Sequence, residues 1–216
     1  MTERDVVMAF PHNGNVRGEF MIRTIALLTM EDTRVGEVYD LQTGPGIGMA
    51  RNKLVTRFMD SGRDWLWFCD SDMVVSTETL PALLKYADPE EHPVVGTLCC
   101  VLTDQDVRVS MYQSSRDDEG KFAFRHIVKW PEDTLLRVDA TGAGCLLIHR
   151  SVFEKISTQK PEEDGLWFAE MIIDTHQIGE DLSFCMRCAM AEIPVYVHTG
   201  IQVGHMKSVQ MGVIEP

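Results

Sequence analysis

The sequence predicts an α/β domain with a mostly parallel central sheet. Three observations carry this. Short apolar runs end abruptly at Gly, Pro, Asn or Asp. Segments of helical apolar spacing separate those runs. One run, residues 64–72, passes without a break from Trp and Phe into carboxylates, as a central strand with a site at its end does.

Residues 6–10 are apolar and stop at Pro11-His12-Asn13-Gly14, so a buried strand delivers a loop at its carboxyl end. Phe20, Ile22, Ile25, Ala26 and Leu28 then predict a helix, and residues 37–42 a second strand. The turn Gly44-Pro45-Gly46-Ile47-Gly48 leads into a clearer helix. In it Ala50, Leu54, Val55, Phe58 and Met59 recur at helical spacing, Arg51, Asn52, Lys53 and Arg57 occupy other positions, and Gly62 stops it. Residues 64–72 are the central strand, Ser76 to Leu80 reads as a capped helix start, and residues 93–101 as another buried strand. Residues 103–133 are polar, with the charge run Arg116-Asp117-Asp118-Glu119, and predict a variable excursion with a hairpin strand over 122–128. Residues 138–148 hold Gly142-Ala143-Gly144 between apolar residues, a close backbone approach followed by a strand. A short helix over 150–156, a surface loop over 160–165, a strand over 167–173, an amphipathic helix over 180–191 and a last strand over 194–198 complete the expected order.

Composition narrows the function. The chain has 216 residues, 44% hydrophobic and 25% charged, which fits one globular domain over 1–216 and excludes disordered and fibrous classes. Its net charge of −13 repels phosphate polymers and leaves no general footprint for nucleic acid. No apolar stretch approaches the roughly 18 residues of a membrane span. Residues 1–10 lack a basic segment and a cleavage site, so a cytoplasmic location is expected. The six cysteines, several in apolar runs (Cys69, Cys99, Cys100, Cys145), read as reduced core residues.

Several motifs carry chemistry, each with a bland counterpart. Gly44 to Gly48 fails the dinucleotide fingerprint, because Met49 or Arg51 stands at the sixth position; it is a tight turn feeding a helix whose amino end can face a phosphate. Asp70-Ser71-Asp72, at the end of a buried strand, can converge on a hard divalent cation or cap a turn; Asp104-Gln105-Asp106 has the same pattern without the strand. Glu180 and Asp181 open a helix, where acids also simply complement the dipole. His205 reads as a ligand or a satisfied surface histidine, and Cys185 and Cys188 lie inside an amphipathic helix as core.

The order of these elements over residues 5–207 resembles the glycosyltransferases of the GT-A fold, particularly small family-2-like and phage-type members. The matching segments are residues 50–54, Asp70-Ser71-Asp72 within 68–73, residues 141–148, residues 179–184 and Val203-Gly204-His205. The resemblance implies a nucleotide-binding half over about 1–102 and an acceptor and catalytic half over about 103–216. It implies that Asp70 and Asp72 hold Mn²⁺ or Mg²⁺ on the diphosphate of a UDP- or GDP-linked sugar, with His205, or alternatively His198, completing the site. Pro11 and the first loop, Arg51 and Ser71 would hold the donor nucleotide, and Gly142, Ala143 and Gly144 would line the donor sugar, leaving room for its ring. Asp181, with Glu180 beside it, matches the acidic pair that serves inverting members as general base; a late metal-binding His also occurs in retaining ones. A protein or glycan acceptor ranks above modified DNA unless Arg108, Arg116, Lys121 and Arg125 gather at the cleft. The location would be cytoplasmic, in the host cell for a phage-encoded enzyme. A nucleotidyltransferase and a non-catalytic nucleotide-sugar binding module are the alternatives.

Overall fold

The computed structural model describes residues 4–44, 46–103, 106–116, 118 and 120–207. Pro45 of the glycine cluster, Asp104 and Gln105 of the second acidic triplet, and Asp117 and Glu119 of the charge run lie outside the described residues.

In chain order the elements are β1 (Val6–His12), α1 (Gly18–Leu28), β2 (Val35–Gln42), α2 (Ile47–Ser61), β3 (Trp65–Cys69), β4 (Met73–Val74), α3 (Thr79–Tyr86), β5 (Val94–Leu102), β6 (Val107–Val109), β7 (Met111–Arg116) and β8 (Phe122–His126). They continue with β9 (Leu135–Val138), β10 (Ala140–Thr141), β11 (Cys145–His149), α4 (Arg150–Gln159), a 3₁₀ turn (Pro161–Glu163), β12 (Met171–Ile173), β13 (His176–Ile178), α5 (Glu180–Met190) and β14 (Val195–His205). The main sheet runs β2-β1-β3-β11-β5-β14-β4, with β6 added on β5 and β9 on β14. Strands β2, β1, β3, β5 and β14 share one direction, so the sheet is mostly parallel as expected; β11 runs against β3 and β5, and β4 against β14.

Because the central strands are covered on both sides, alternate residues feed two cores. Val7, Ala9, Leu66 and Phe68 pack with Leu54, Phe58, Phe153 and Phe184 of α2, α4 and α5. Val6, Met8, Trp65 and Trp67 pack with Phe20, Leu27, Leu80 and Leu83 of α1 and α3. Each of the larger aliphatic and Phe side chains among them contributes roughly 1.5–3 kcal/mol by leaving water. Gly62 ends α2 in the left-handed region (φ 70°), where a side chain would be strained.

Some expectations shift. Helix α3 begins at Thr79, three residues after the expected cap, and the Ser76 amide donates to Thr79 Oγ1 at 3.0 Å. Trp167 and Phe168 belong to turns, not to a strand, since both rings are drawn into the core (6% and 0% exposed). Cys100 is exposed instead of core, because the end of β5 leaves the main sheet to pair with β6. The last strand is longer than expected. Its pairing with β5 shifts register between His198 and Gln202, and beyond this bulge it runs on to His205 beside β4.

Candidate active site

The carboxyl ends of β1 and β3, the amino ends of α2 and α5, the glycine turn before β11 and the end of β14 meet around two adjoining cavities. The outer cleft, about 720 Å³, is lined by Pro11, His12, Asn13, Asn15, Thr43, Gly46, Ser71, Asp72 and Lys207, among others. The inner cavity, about 150 Å³, is lined by Arg51, Ser110, Gly142, Ala143, Gly144, Glu180 and Asp181, among others. Ile47, Asp70 and His205 form walls of both. Helix α2 starts at this junction, with no side chain capping it at Gly46.

Asp72 is gripped from β14. His205 Nε2 donates to its Oδ2 at 3.0 Å, Lys207 Nζ donates to the same oxygen at 3.3 Å, and His205 Nδ1 donates to the Cys100 carbonyl at 2.9 Å. Burial pushes the Asp72 carboxyl up, but the hydrogen bond and charge of His205, then Lys207, prevail and lower it to about 2. The same contact, aided by Cys99 and the Cys100 carbonyl, raises His205 to about 10. His198 lies elsewhere: it is 2% exposed, stacks on Tyr86 at 4.0 Å between centroids and lines neither cavity.

Asp70 is held from beneath. Arg51 Nη2 donates to Asp70 Oδ2 at 2.8 Å, whereas Asp70 Oδ1 is buried with no hydrogen-bond partner. Arg51, expected beside the nucleoside, is 2% exposed and does not line the outer cleft. Its guanidinium sits 5.0 Å from the Phe68 ring and 5.9 Å from the Phe168 ring. Asn52 accepts from the Phe168 amide at 2.7 Å, so the neighbouring side chain of α2 anchors the segment that covers Arg51.

Glu180 Oε1 stands 3.7 Å from Arg51 Nε. Burial and the neighbouring Asp181 raise the Glu180 carboxyl, and Arg51 pulls it back. Asp181 Oδ1 accepts from the Leu182 amide at 2.8 Å. The helix start was expected to favour an ionised Asp181; burial outweighs it and the carboxyl is raised, because helix-end charge is worth only about 0.3–1 kcal/mol.

The glycine turn does not keep open space for a sugar ring alone. A Cβ on Gly142 would meet Ser110 Oγ at 2.6 Å and Asp181 Oδ2 at 3.4 Å, and one on Gly144 would meet Met73 Sδ at 3.3 Å and Asp70 Oδ2 at 3.5 Å. The missing side chains let the protein's own carboxylates approach the backbone. Ala143 between them is 2% exposed and packed in the core.

Among the described residues no three His, Cys, Asp or Glu side chains are already gathered as a closed metal centre. The donors nevertheless suit a hard cation in an open site: Asp70 keeps an orphaned buried oxygen, and Asp72 lies on the same cleft with His205, whose Nε2 would give up its proton to a bound cation, with room there for phosphate oxygens as further ligands. Lys207, Ser110 and Thr43 escaped the sequence reading. Lys207 lies two residues past the histidine motif, and only the pairing of β14 with β4 brings it to Asp72. Arg108, Arg116, Lys121 and Arg125 line neither cavity. No described helix is long and apolar enough to cross a membrane.

Comparison with known proteins agrees with this architecture. No curated protein matches the sequence. Of solved structures, A197 from STIV is similar at 20% identity and a TM-score of 0.58, over 94% of this chain and 86% of that one. GalNAc-T7, solved with UDP, GalNAc and Mn²⁺, is similar at 11% identity and a TM-score of 0.64, over 96% of this chain but 45% of its own. The model of the family described as glycosyltransferase like family 2 matches residues 36–212. With most of the sequence inside that match and a mostly parallel α/β sheet carrying the site at its carboxyl edge, the chain belongs to the glycosyltransferase family 2-like proteins and has the GT-A fold.

Proposed function

We propose that the protein transfers a hexosyl group from a UDP- or GDP-linked sugar to an acceptor hydroxyl, with a divalent cation as cofactor. The observation that carries this reading is the shared wall of the two cavities: Asp70 and His205 border both the outer cleft, sized for a nucleotide, and the inner cavity that holds Asp181. Asp70, Asp72 and His205 would hold Mn²⁺ or Mg²⁺, which when bound neutralises charge on a departing diphosphate. Pro11 with the loop after β1, and Ser71, hold the nucleotide, while Gly142, Ala143 and Gly144 border the sugar and acceptor side.

Asp181 acts as general base. Its Oδ1 is occupied by the Leu182 amide, and its Oδ2, over Gly142, takes the proton from the acceptor hydroxyl. The acceptor oxygen bonds to the anomeric carbon as the bond from that carbon to the diphosphate oxygen breaks, which inverts the centre. Glu180 beside it keeps the local field negative. A base raised by burial takes a proton more readily than an ordinary Asp.

The whole chain works as one catalytic unit, with residues 1–102 supplying most of the nucleotide side and residues 103–216 the base and the late histidine. A protein or glycan acceptor, met in the cytoplasm, suits the net charge of −13 and the absence of Arg108, Arg116, Lys121 and Arg125 from both cavities. The deciding experiment titrates the protein with UDP and GDP, with and without Mn²⁺, then follows labelled donor sugar into acceptors. Mn²⁺-dependent binding of one nucleotide, followed by transfer, is the expected result. Equal affinity in chelator and in Mn²⁺ removes the metal from the reading.

A further inference from the structure

A buried arginine needs a reason. Arg51 is 2% exposed, yet the only side-chain hydrogen bond described for it is Nη2 to Asp70 Oδ2; Nε and Nη1 are both buried without a hydrogen-bond partner, Nε facing Glu180 Oε1 only at ion-pair distance, 3.7 Å. Leaving such donors unmade costs about 1–3 kcal/mol each or more, and an apolar side chain against the Phe68 and Phe168 rings would pack without that cost. Stability therefore does not account for this residue. What it does have is three carboxylates around it: Asp70 in contact, Glu180 at 3.7 Å and Asp181 close enough for its charge to be felt.

We propose that Arg51 is a positioning residue that sets the orientation of Asp70 for the cation and ties it to the acidic pair at the start of α5. The guanidinium sits against the edge-to-face pair of Phe68 and Phe168, and its hydrogen bond to Oδ2 fixes the carboxylate, leaving Oδ1 as its one oxygen without a hydrogen-bond partner. Without Arg51, Asp70 is free to rotate about its last torsion, and Asp70, Glu180 and Asp181 face one another with no cation between them. The guanidinium is needed as a fork, not just as a charge, because Nη2 on Asp70 and Nε toward Glu180 lie in one rigid plane, which a lysine ammonium at the end of a flexible stem does not provide.

This inference rests on Asp70 being a ligand of the cation, so the test reads cation binding directly. Mn²⁺ alone is titrated into wild-type protein, Arg51→Lys, Arg51→Gln, Asp70→Asn and the double variant Arg51→Lys/Asp70→Asn, with free Mn²⁺ read by electron paramagnetic resonance and folding by circular dichroism. Arg51→Lys and Arg51→Gln are expected to fold and to bind Mn²⁺ roughly 10–100-fold more weakly, the usual effect of losing a residue that orients a metal ligand. In the Asp70→Asn background Arg51→Lys should change the affinity by less than about twofold, since the route of its action is already gone. Arg51→Lys binding Mn²⁺ like the wild type, or an equal loss in both backgrounds, overturns the proposal. If neither Arg51 variant folds, Arg51 is a pillar of the fold and the proposal fails. Wild-type protein that binds no Mn²⁺ instead removes the metal reading, and this inference falls with it.

Discussion

Replacing Asp181 by Asn tests the chemistry with almost no change of shape. Asn keeps an oxygen to accept the 2.8 Å hydrogen bond from the Leu182 amide, and its amide group then stands over Gly142 where Oδ2 was, donating where the base accepted. A positioned general base is worth about 10²–10⁴ in rate, or roughly 3–5.5 kcal/mol of transition-state stabilisation at 1.36 kcal/mol per decade. Asp181 does not line the outer cleft, so nucleotide affinity should stay within a few-fold while kcat falls by that factor. The pH dependence adds a second measurement. Burial raises the Asp181 carboxyl above its ordinary 3.8, so wild-type kcat/KM declines as pH falls through that raised value and the base becomes protonated, and Asp181→Asn loses this acidic limb. The stability effect has the opposite sign to the activity effect. A carboxyl with a raised folded-state pKa binds more protons folded than unfolded, so its contribution to stability declines as pH rises from the unfolded to the folded value. At neutral pH Asp181→Asn should therefore melt no lower than the wild type. Near-normal turnover of the variant, measured with labelled donor, refutes the base assignment. Retained anomeric configuration in the wild-type product would leave Asp181 only orienting the acceptor.

Asp72→Ala should abolish the Mn²⁺ dependence of nucleotide binding, measured calorimetrically, with the circular dichroism spectrum retained. His205→Ala should weaken metal-dependent binding more than His198→Ala, whose ring packs on Tyr86 away from the cleft; the reverse ranking would move the ligand to His198. Gly48→Ala sets a Cβ 2.5 Å from the Phe168 carbonyl oxygen and 3.0 Å from Glu180 Cβ, so it should cost about 1–3 kcal/mol and lower the melting temperature by roughly 2–4 °C per kcal/mol. An unchanged melting curve would show that α2 and α5 separate freely there. Labelled donor should pass to a protein or glycan acceptor before hydroxymethylated DNA, and transfer to such DNA alone would reverse the ranking.

Much of this site was legible because its residues sit where strands and helices start or stop, and those points are marked in sequence by abrupt changes of polarity. Asp70 and Asp72 follow five buried residues, and Glu180 and Asp181 follow a glycine at a helix start. Arg51 was misplaced because helical spacing gives a face and not a depth. Only the closure of the 165–170 segment over α2, through Asn52 and Phe168, turns an apparently polar position into a buried one. The antiparallel β11 was hidden for a similar reason: its apolar run looks the same in either direction, and the register Cys145 to Cys69 is set by the turn that lets the Asp70 amide donate to the Gly144 carbonyl at 2.8 Å.

The long final strand has a consequence for synthesis. Asp72 and His205 are 133 positions apart in the chain and 3.0 Å apart in space. At about 5–20 residues per second the ribosome releases the two aspartates roughly 7–27 s before the histidine. From the time each is made until β14 follows, β5 waits without its parallel neighbour, an apolar edge open to other nascent chains, and β9 has no strand to pair with. The arrival of β14 closes that edge, and its continuation past the bulge carries His205 to Asp72 in the same movement. A half-made molecule therefore lacks both its finished sheet and the contact between Asp72 and His205, and it gains the two together.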